Sequence, residues 1–377
     1  MNKIRLGILF GGKSSEHEVS LRSATSVIMN ADKSRYDLVL IGITKGGEWL
    51  LYDGDVKNLA DGSWEAIARK ALAEDPAGYS FCVLGSGSRQ LKDLIDFALP
   101  VMHGQNAEDG SIQGALQLAD IPYAGCGISG SAICMDKCYA KQICDVCGIP
   151  QTPYVSLMGN EVLKAAAPVP NSPYASRVKN GLQDKLREIN EKLQYPLFVK
   201  PANMGSSVGI SKVEKPEDLE AALQLAASYD SHIVVEQGVK GRELEVAVMG
   251  SNRHPFACEI GEILAADTFY SYDAKYNNNE SKTVVGVKMS PDRCAKLMRL
   301  AEKSYTALGC DGYARVDFFM DEDGNFLLNE INTLPGFTSI SMFPMLVQAS
   351  GFTYSQLIDK IVELGMERFA ERAQLKI

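Results

Sequence analysis

The sequence predicts an α/β protein in three blocks, the first built around a parallel sheet. Three observations predict it. Apolar runs of strand length alternate with stretches of 3.6-residue periodicity, the pattern of strands joined by crossover helices. The 377 residues are 46% hydrophobic and 23% charged, a globular composition. A chain of this size buries roughly three-quarters of its unfolded surface, so its core needs no disulfide or metal staple.

In the first block, residues 1–131, residues 4–12 read as a strand running into a glycine turn. A helix from Glu18 to Ala31 and a strand over 36–47 follow. Residues 94–104 are a further apolar strand ending in a polar loop, and 111–121 have helical periodicity. Ligands of such a sheet are expected at the loops after its strands. In the second block, 132–238, strands are predicted at 195–202, 209–213 and 232–237, with a helix over 215–229. Its Pro/Ser/Gly-rich stretch 168–181 reads as an exposed loop. The third block, 239–377, gives strands at 243–250 and 257–263, a helix at 290–309, a hairpin at 314–332 and a C-terminal helix. Residues 265–285 combine aromatics, Lys275 and three consecutive asparagines, and read as a mobile lid over about 266–285.

Composition also excludes partners. A net charge of −9 speaks against a nucleic-acid backbone as ligand. No apolar run reaches the ~18 residues of a membrane helix. The opening run is too short for a signal-peptide core. A cytoplasmic protein with nine reduced cysteines is the expectation. Cys144 and Cys147 form a C-x-x-C, but no second pair or histidine cluster accompanies it, and it falls at the end of a helix rather than its start.

Two patterns are decoys. Gly7 to Ser14 matches the expression for a phosphate-binding P-loop, yet Ile8, Leu9 and Phe10 continue an apolar strand and cannot wrap a phosphate. His17-Glu18 begins an H-E-x-x-H motif that Leu21 breaks.

The hairpin carries the chemistry. Arg315 and Asp317 share one strand face, as do Glu330 and Asn332 on the next strand. A two-residue turn at Glu322-Asp323 would set Asp317 opposite Leu328 and Arg315 opposite Glu330. Asp, Glu and Asn make a hard-oxygen site suited to magnesium carrying phosphates. Residues 198–213 supply the complement. Lys200 ends a strand, and a loop with Gly205, Ser206, Ser207 and Gly209 can lay N–H and hydroxyl groups over phosphate oxygens. Lys137 brings a second positive charge, and Glu236 sits at a strand edge able to bind a purine amino group.

The strings GGKSSEHEVSL, MHGQNAEDGSIQG, MDK, VKPANMGSSVG, VVEQGVKGRELEV, FYSYDAKY, ARVDF and NEINTLPGFTSISMFP occur in order along the whole chain. With them the sequence resembles the D-alanine–D-alanine ligase family of the ATP-grasp superfamily. The resemblance implies a three-domain ATP-grasp fold with a Rossmann-like N-terminal domain, ATP and two Mg2+ (or Mn2+) as cofactors, two D-alanine molecules as substrates and a homodimer. It implies that Glu18 binds the first D-alanine's ammonium beside His103, and that Lys137 and Lys200 hold phosphates with Ser206 and Ser207. Glu236 would meet adenine and Glu243 the ribose. Asp317, Glu330 and Asn332 would hold the metals, and Arg315 with the Gly336 N–H would receive the oxyanion. Ser341 and Lys275 would take the second carboxylate, while Ser206, Tyr276 and Glu18 would latch the lid. Relatives that make a D-lactate ester or prefer D-serine differ at the positions of Tyr276 and Met342, so this chain's residues there favour D-alanine. Gln237 and Ala107 depart from the family pattern, and residues 160–185 look longer than is usual for it.

Overall fold

Strand β1 (Ile4–Gly11) is an apolar run because it lies inside its sheet with both faces covered: Leu6, Ile8, Leu9 and Phe10 are all fully buried. This computed structural model describes residues 3–85, 89–162, 181–205, 208–264 and 282–376. Strand β1 pairs in parallel with β2 (Tyr36–Ile43) and β4 (Phe97–Pro100). A short edge strand, β3 (Trp49–Tyr52), returns antiparallel along β2, giving the order β3-β2-β1-β4. Ile8, Leu9 and Phe10 thus belong to a central strand, and no phosphate cradle forms there. The chain leaves β1 at Gly11, whose φ of +86° and 2.2 Å approach of a would-be Cβ to the Ile43 oxygen admit only glycine.

The second sheet comprises β5 (Tyr154–Met158), β6 (Leu197–Pro201), β7 (Ser211–Val213) and β8 (His232–Gln237), all antiparallel in the order β5-β8-β6-β7. The helix Pro216–Ala227 covers it with Leu219, Leu223 and Ala226. The third comprises β9 (Gly241–Ser251), β10 (His254–Leu264), β11 (Lys282–Val285), β12 (Gly312–Asp321) and β13 (Phe326–Asn332), antiparallel in the order β11-β10-β9-β12-β13. Helix Pro291–Ala307 packs beneath it through Leu297, Ala301 and Tyr305.

The last helix, Tyr354–Ala373, returns to the first sheet. Leu357, Ile358 and Ile361 share a core with Phe97 and Leu99, and the Tyr36 hydroxyl donates to Asp359 at 2.7 Å. The end of the third block thereby completes the core of the first.

Three local expectations differ from the structure. Strands β3 and β5 escaped the sequence reading because each is only four or five residues long and follows closely on Gly or Pro punctuation. The last four residues of the expected lid, Lys282–Val285, form an edge strand on β10; residues 265–281, with Lys275 and Tyr276, lie outside the described residues, as do 168–180 of the expected loop. The third difference, the hairpin register, shapes the site.

Candidate active site

The turn between β12 and β13 is longer than two residues: Asp321 N–H donates to the Asn325 carbonyl at 3.0 Å, and Gly324 N–H to the Asp321 carbonyl at 2.9 Å. A bulge then shifts the register between Asp317 and Phe318. The turn moves the pairing by one residue and the bulge by another, so Asp317 faces Glu330 and Arg315 faces Asn332. The expected partners, Leu328 and Glu330, are displaced. Because the total shift beyond the bulge is two, Arg315, Asp317, Glu330 and Asn332 keep their shared face, while Phe318–Met320 are shifted by only one. On the other flank β9 sets Glu245 beside Asp317, so three carboxylates lie in a row across three strands.

Arg315, 7% exposed, threads this row. Its Nε and Nη2 donate to the two oxygens of Asp317 at 2.8 and 2.7 Å, and Glu245 Oε2 is 3.2 Å from Nε. Burial opposes the guanidinium charge, but Asp317 and then Glu245 overcome it and push its pKa above the usual value. A guanidinium has five N–H groups, so a fork on Asp317 leaves donors for the cleft that Arg315 lines.

Opposite this wall stands the start of helix Lys137–Val146. Asp136 caps it by accepting from Cys138 N–H at 2.9 Å and Tyr139 N–H at 3.1 Å, which fixes the exit of Lys137. Lys137 Nζ then lies 3.5 Å from Glu330 Oε2 and donates to the Met204 carbonyl at 3.1 Å.

The first block closes the third side with Glu16, His103 and Glu108. His103 Nδ1 is 2.9 Å from the Leu334 carbonyl and must carry the proton there; Nε2 then accepts from the Ser23 hydroxyl at 3.1 Å. Burial lowers the pKa of this imidazole, which stays neutral. Ser23 in turn accepts from Phe337 N–H at 3.2 Å, tying the loop after β13 to the first block. Gly104, at φ +70°, leaves room for Glu16 Oε2, which a Cβ there would approach to 2.8 Å.

Burial, then the negative charge of Glu16, pushes the Glu108 carboxyl up to about 8. Between an unfolded value near 4.5 and this folded value, the native state binds the extra proton. Glu108 therefore loses stability for the protein as pH rises through that window and has a constant effect outside it. Compared with wild type, Glu108→Gln is expected to gain Tm steadily from pH 5 to pH 8. A Tm difference that ignores pH would refute this.

The structure brings His103, Lys137, Arg315, Glu330, Asn332 and Gly336 to one cleft, with Asp317 directly behind Arg315. Ser341 Oγ accepts from Thr338 N–H at 3.0 Å and lies 2.7 Å from where a Gly336 Cβ would be. Lys200, Glu236 and Glu243 group on the neighbouring sheets: Lys200 Nζ donates to Glu236 at 2.7 Å, and the charge of Glu243 is felt at Lys200.

Two expectations are corrected. Glu18 is not in the cleft. It lies in the first turn of the helix His17–Asn30 facing outward, its side chain 58% exposed and paired with Lys45. The helix begins one residue after Glu16, and it is Glu16, 8% exposed, that points inward. Met342 does not line the cleft either. It is buried at the start of helix Met342–Ala349, its sulfur against Gly261. Ser206, Ser207, Lys275 and Tyr276 lie outside the described residues.

Besides Glu16, sequence reading missed Glu108, Lys141 and Glu245. Lys141 had a signal, its i+4 spacing from Lys137. Glu245 had one too, lying two residues from Glu243 on one strand. Glu108 had only its place in the string MHGQNAEDGSIQG.

Residues 5–126 match the family described as D-ala D-ala ligase N-terminus, and residues 145–363 that described as D-ala D-ala ligase C-terminus. The chain belongs to the D-alanine–D-alanine ligase family. It is 45% identical to a D-alanine–D-alanine ligase of Ruminiclostridium cellulolyticum, over 98% of this chain and 97% of the relative. It is 42% identical to D-alanine–D-alanine ligase A of Escherichia coli K12, over 100% and 99%. Among solved structures, the D-alanine–D-alanine ligase from Coxiella burnetii superposes with a TM-score of 0.78 at 29% identity, covering 99% of this chain and 97% of that one. The VanG D-Ala:D-Ser ligase from Enterococcus faecalis gives 0.78 at 31%, covering 97% and 100%. The ATP-grasp fold of the family accounts for the two antiparallel sheets that flank the cleft. No helix among the described residues is long and apolar enough to cross a membrane.

Proposed function

We propose that this member of the family joins two D-alanines into D-alanyl-D-alanine for peptidoglycan synthesis, spending ATP and releasing ADP and phosphate. The observation that carries the reading is the row Glu245, Asp317 and Glu330 threaded by Arg315 at the cleft wall. A carboxylate is a poor electrophile, and phosphorylation of the first D-alanine to an acyl phosphate makes it one. Phosphoryl transfer requires mainly positioning and charge neutralisation, for which Lys137 and Lys200 are suited. The amine attack that follows develops an oxyanion, for which the remaining donors of Arg315 and the Gly336 N–H are suited.

The donor set fits magnesium. Asp317 and Glu330 face each other across β12 and β13, and Asn332 follows on the same face as Glu330. A carboxylate has roughly four lone-pair sites, so one such group can hold the Arg315 fork and a cation together. In this reading those three residues hold two Mg2+ or Mn2+, which neutralise phosphate charge. Glu16 takes the ammonium of the first D-alanine beside neutral His103, and Ser341 with Lys275 takes the carboxylate of the second. Glu236 and Glu243 receive the adenine amino group and the ribose. Pairing with a second copy through the N-terminal block belongs to the same proposal.

The test is ADP release with D-alanine alone, then with D-serine or D-lactate added. Release that depends on D-alanine and saturates without a second acid supports the proposal; release indifferent to D-alanine overturns it. In the same assay Glu16→Gln is expected to raise the D-alanine KM by about tenfold or more, the scale of a lost charged hydrogen bond. Glu18→Gln is expected to leave it within twofold. The reverse order would return the role to Glu18.

A further inference from the structure

Lys141 has no part in the reading above, yet it is among the most buried charged groups of the chain, at 3% exposure. It lies one helical turn beyond Lys137. Its Nζ donates to Thr152 Oγ1 at 3.1 Å, sits 5.2 Å from the Tyr154 ring centroid and is 3.3 Å from Glu236 Oε1. The other oxygen of Glu236 accepts from Lys200 at 2.7 Å. One buried carboxylate therefore has two ammonium partners, one of them, Lys141, buried as well. A single partner would neutralise it, and a second buried ion costs several kcal/mol of desolvation unless something repays it.

The two ammoniums differ in freedom. Lys200 is on β6, two residues before the loop that reaches Gly205 at the cleft. Lys141 is tethered on three sides, by a hydroxyl, an aromatic face and the carboxylate itself. If Lys200 turns from Glu236 to the phosphates, Glu236 keeps a counter-charge only through Lys141.

We propose that Lys141 is a positioning residue, a fixed counter-ion that keeps Glu236 a charged acceptor and thereby makes the base pocket choose a 6-amino purine over a 6-oxo purine. The proposal rests on the reading of Glu236 as the purine acceptor. Its chemistry is simple. A charged carboxylate only accepts, which suits an exocyclic amino group and repels a carbonyl oxygen; a neutral carboxylic acid can donate to that oxygen instead. At present burial would raise the Glu236 carboxyl, but Lys141 and Lys200 together hold it down at about 2. Without either, burial wins.

The experiment compares kcat/KM for ATP and for inosine triphosphate, at saturating D-alanine, in wild type and Lys141→Met. The expected result is a fall of at least about tenfold in the ATP-to-ITP ratio, since polar discrimination of this kind is large when intact. The ATP KM is expected to rise while the D-alanine KM and the kcat at saturating ATP stay within about twofold, and Lys141→Arg is expected to restore most of the ratio. A structural role alone would lower kcat and leave the ratio. If Lys141→Met does not fold, Thr152→Val loosens the same ammonium and is read the same way. An unchanged ratio in the folded variant overturns the proposal. Glu236→Gln separates the two levels: if it lowers the ratio while Lys141→Met does not, the inference about Lys141 fails alone. If Glu236→Gln leaves both nucleotides unaffected, the purine reading of Glu236 fails and takes this inference with it.

Discussion

Arg315→Ala is expected to lower kcat by about 10²–10³ while changing the KM for ATP far less, the loss that follows removal of one oxyanion donor. The reason is where Arg315 can act. Its Nε and one Nη2 hydrogen are committed to Asp317, so in the proposed reaction the remaining donors would serve charge that appears in the cleft. The same substitution should destabilise the protein by roughly 3–5 kcal/mol, because Asp317 and Glu245 would remain buried without their shared cation. Urea unfolding separates the two effects: kcat is measured well below the new unfolding midpoint, where the variant is folded. Arg315→Lys keeps a positive charge but loses the planar fork, and is expected to recover stability more than activity. A folded Arg315→Ala with wild-type kcat would remove Arg315 from the oxyanion role.

The sequence was legible where a pattern of period two or 3.6 carried the information, and illegible where geometry depended on a turn or a helix start. The shared face of Arg315 and Asp317, and that of Glu330 and Asn332, followed from strand alternation alone. Their register did not, because the turn through Asp321–Asn325 and the bulge beside Phe318 are decided by backbone fit rather than by side-chain pattern. That error was harmless, since a shift of two preserves the face. The confusion of Glu18 with Glu16 was not. Two acidic residues spaced by two point in different directions once a helix starts between them, and a start at His17 turns Glu18 outward to Lys45. Lys141 shows a third kind of limit. The i+4 spacing puts Lys141 on the helix face of Lys137, but that face looks solvated in sequence until burial beside Glu236 is seen.

Glu330→Gln is expected to cut kcat by about 10²–10⁴, the range that several kcal/mol of lost charge stabilisation implies. Gln is nearly the same size and keeps one oxygen, so the substitution removes charge and little else. The structure gives that charge two duties. Glu330 faces Asp317 across the strand pair, where the proposed metals would need both carboxylates, and it lies 3.5 Å from Lys137 Nζ. Losing the charge weakens a divalent site and leaves Lys137 less constrained, so the half-saturating Mg2+ concentration should rise together with the fall in kcat. Glu322→Gln, an exposed change in the turn of the same hairpin, is the control and should alter neither. Lys137→Met should lower kcat without moving the Mg2+ midpoint nearly as far, because it removes the cation proposed for the phosphates and leaves the proposed oxygen ligands in place. A Glu330→Gln enzyme with an unmoved Mg2+ midpoint and kcat within twofold of wild type would mean that the carboxylate row serves only to hold Arg315.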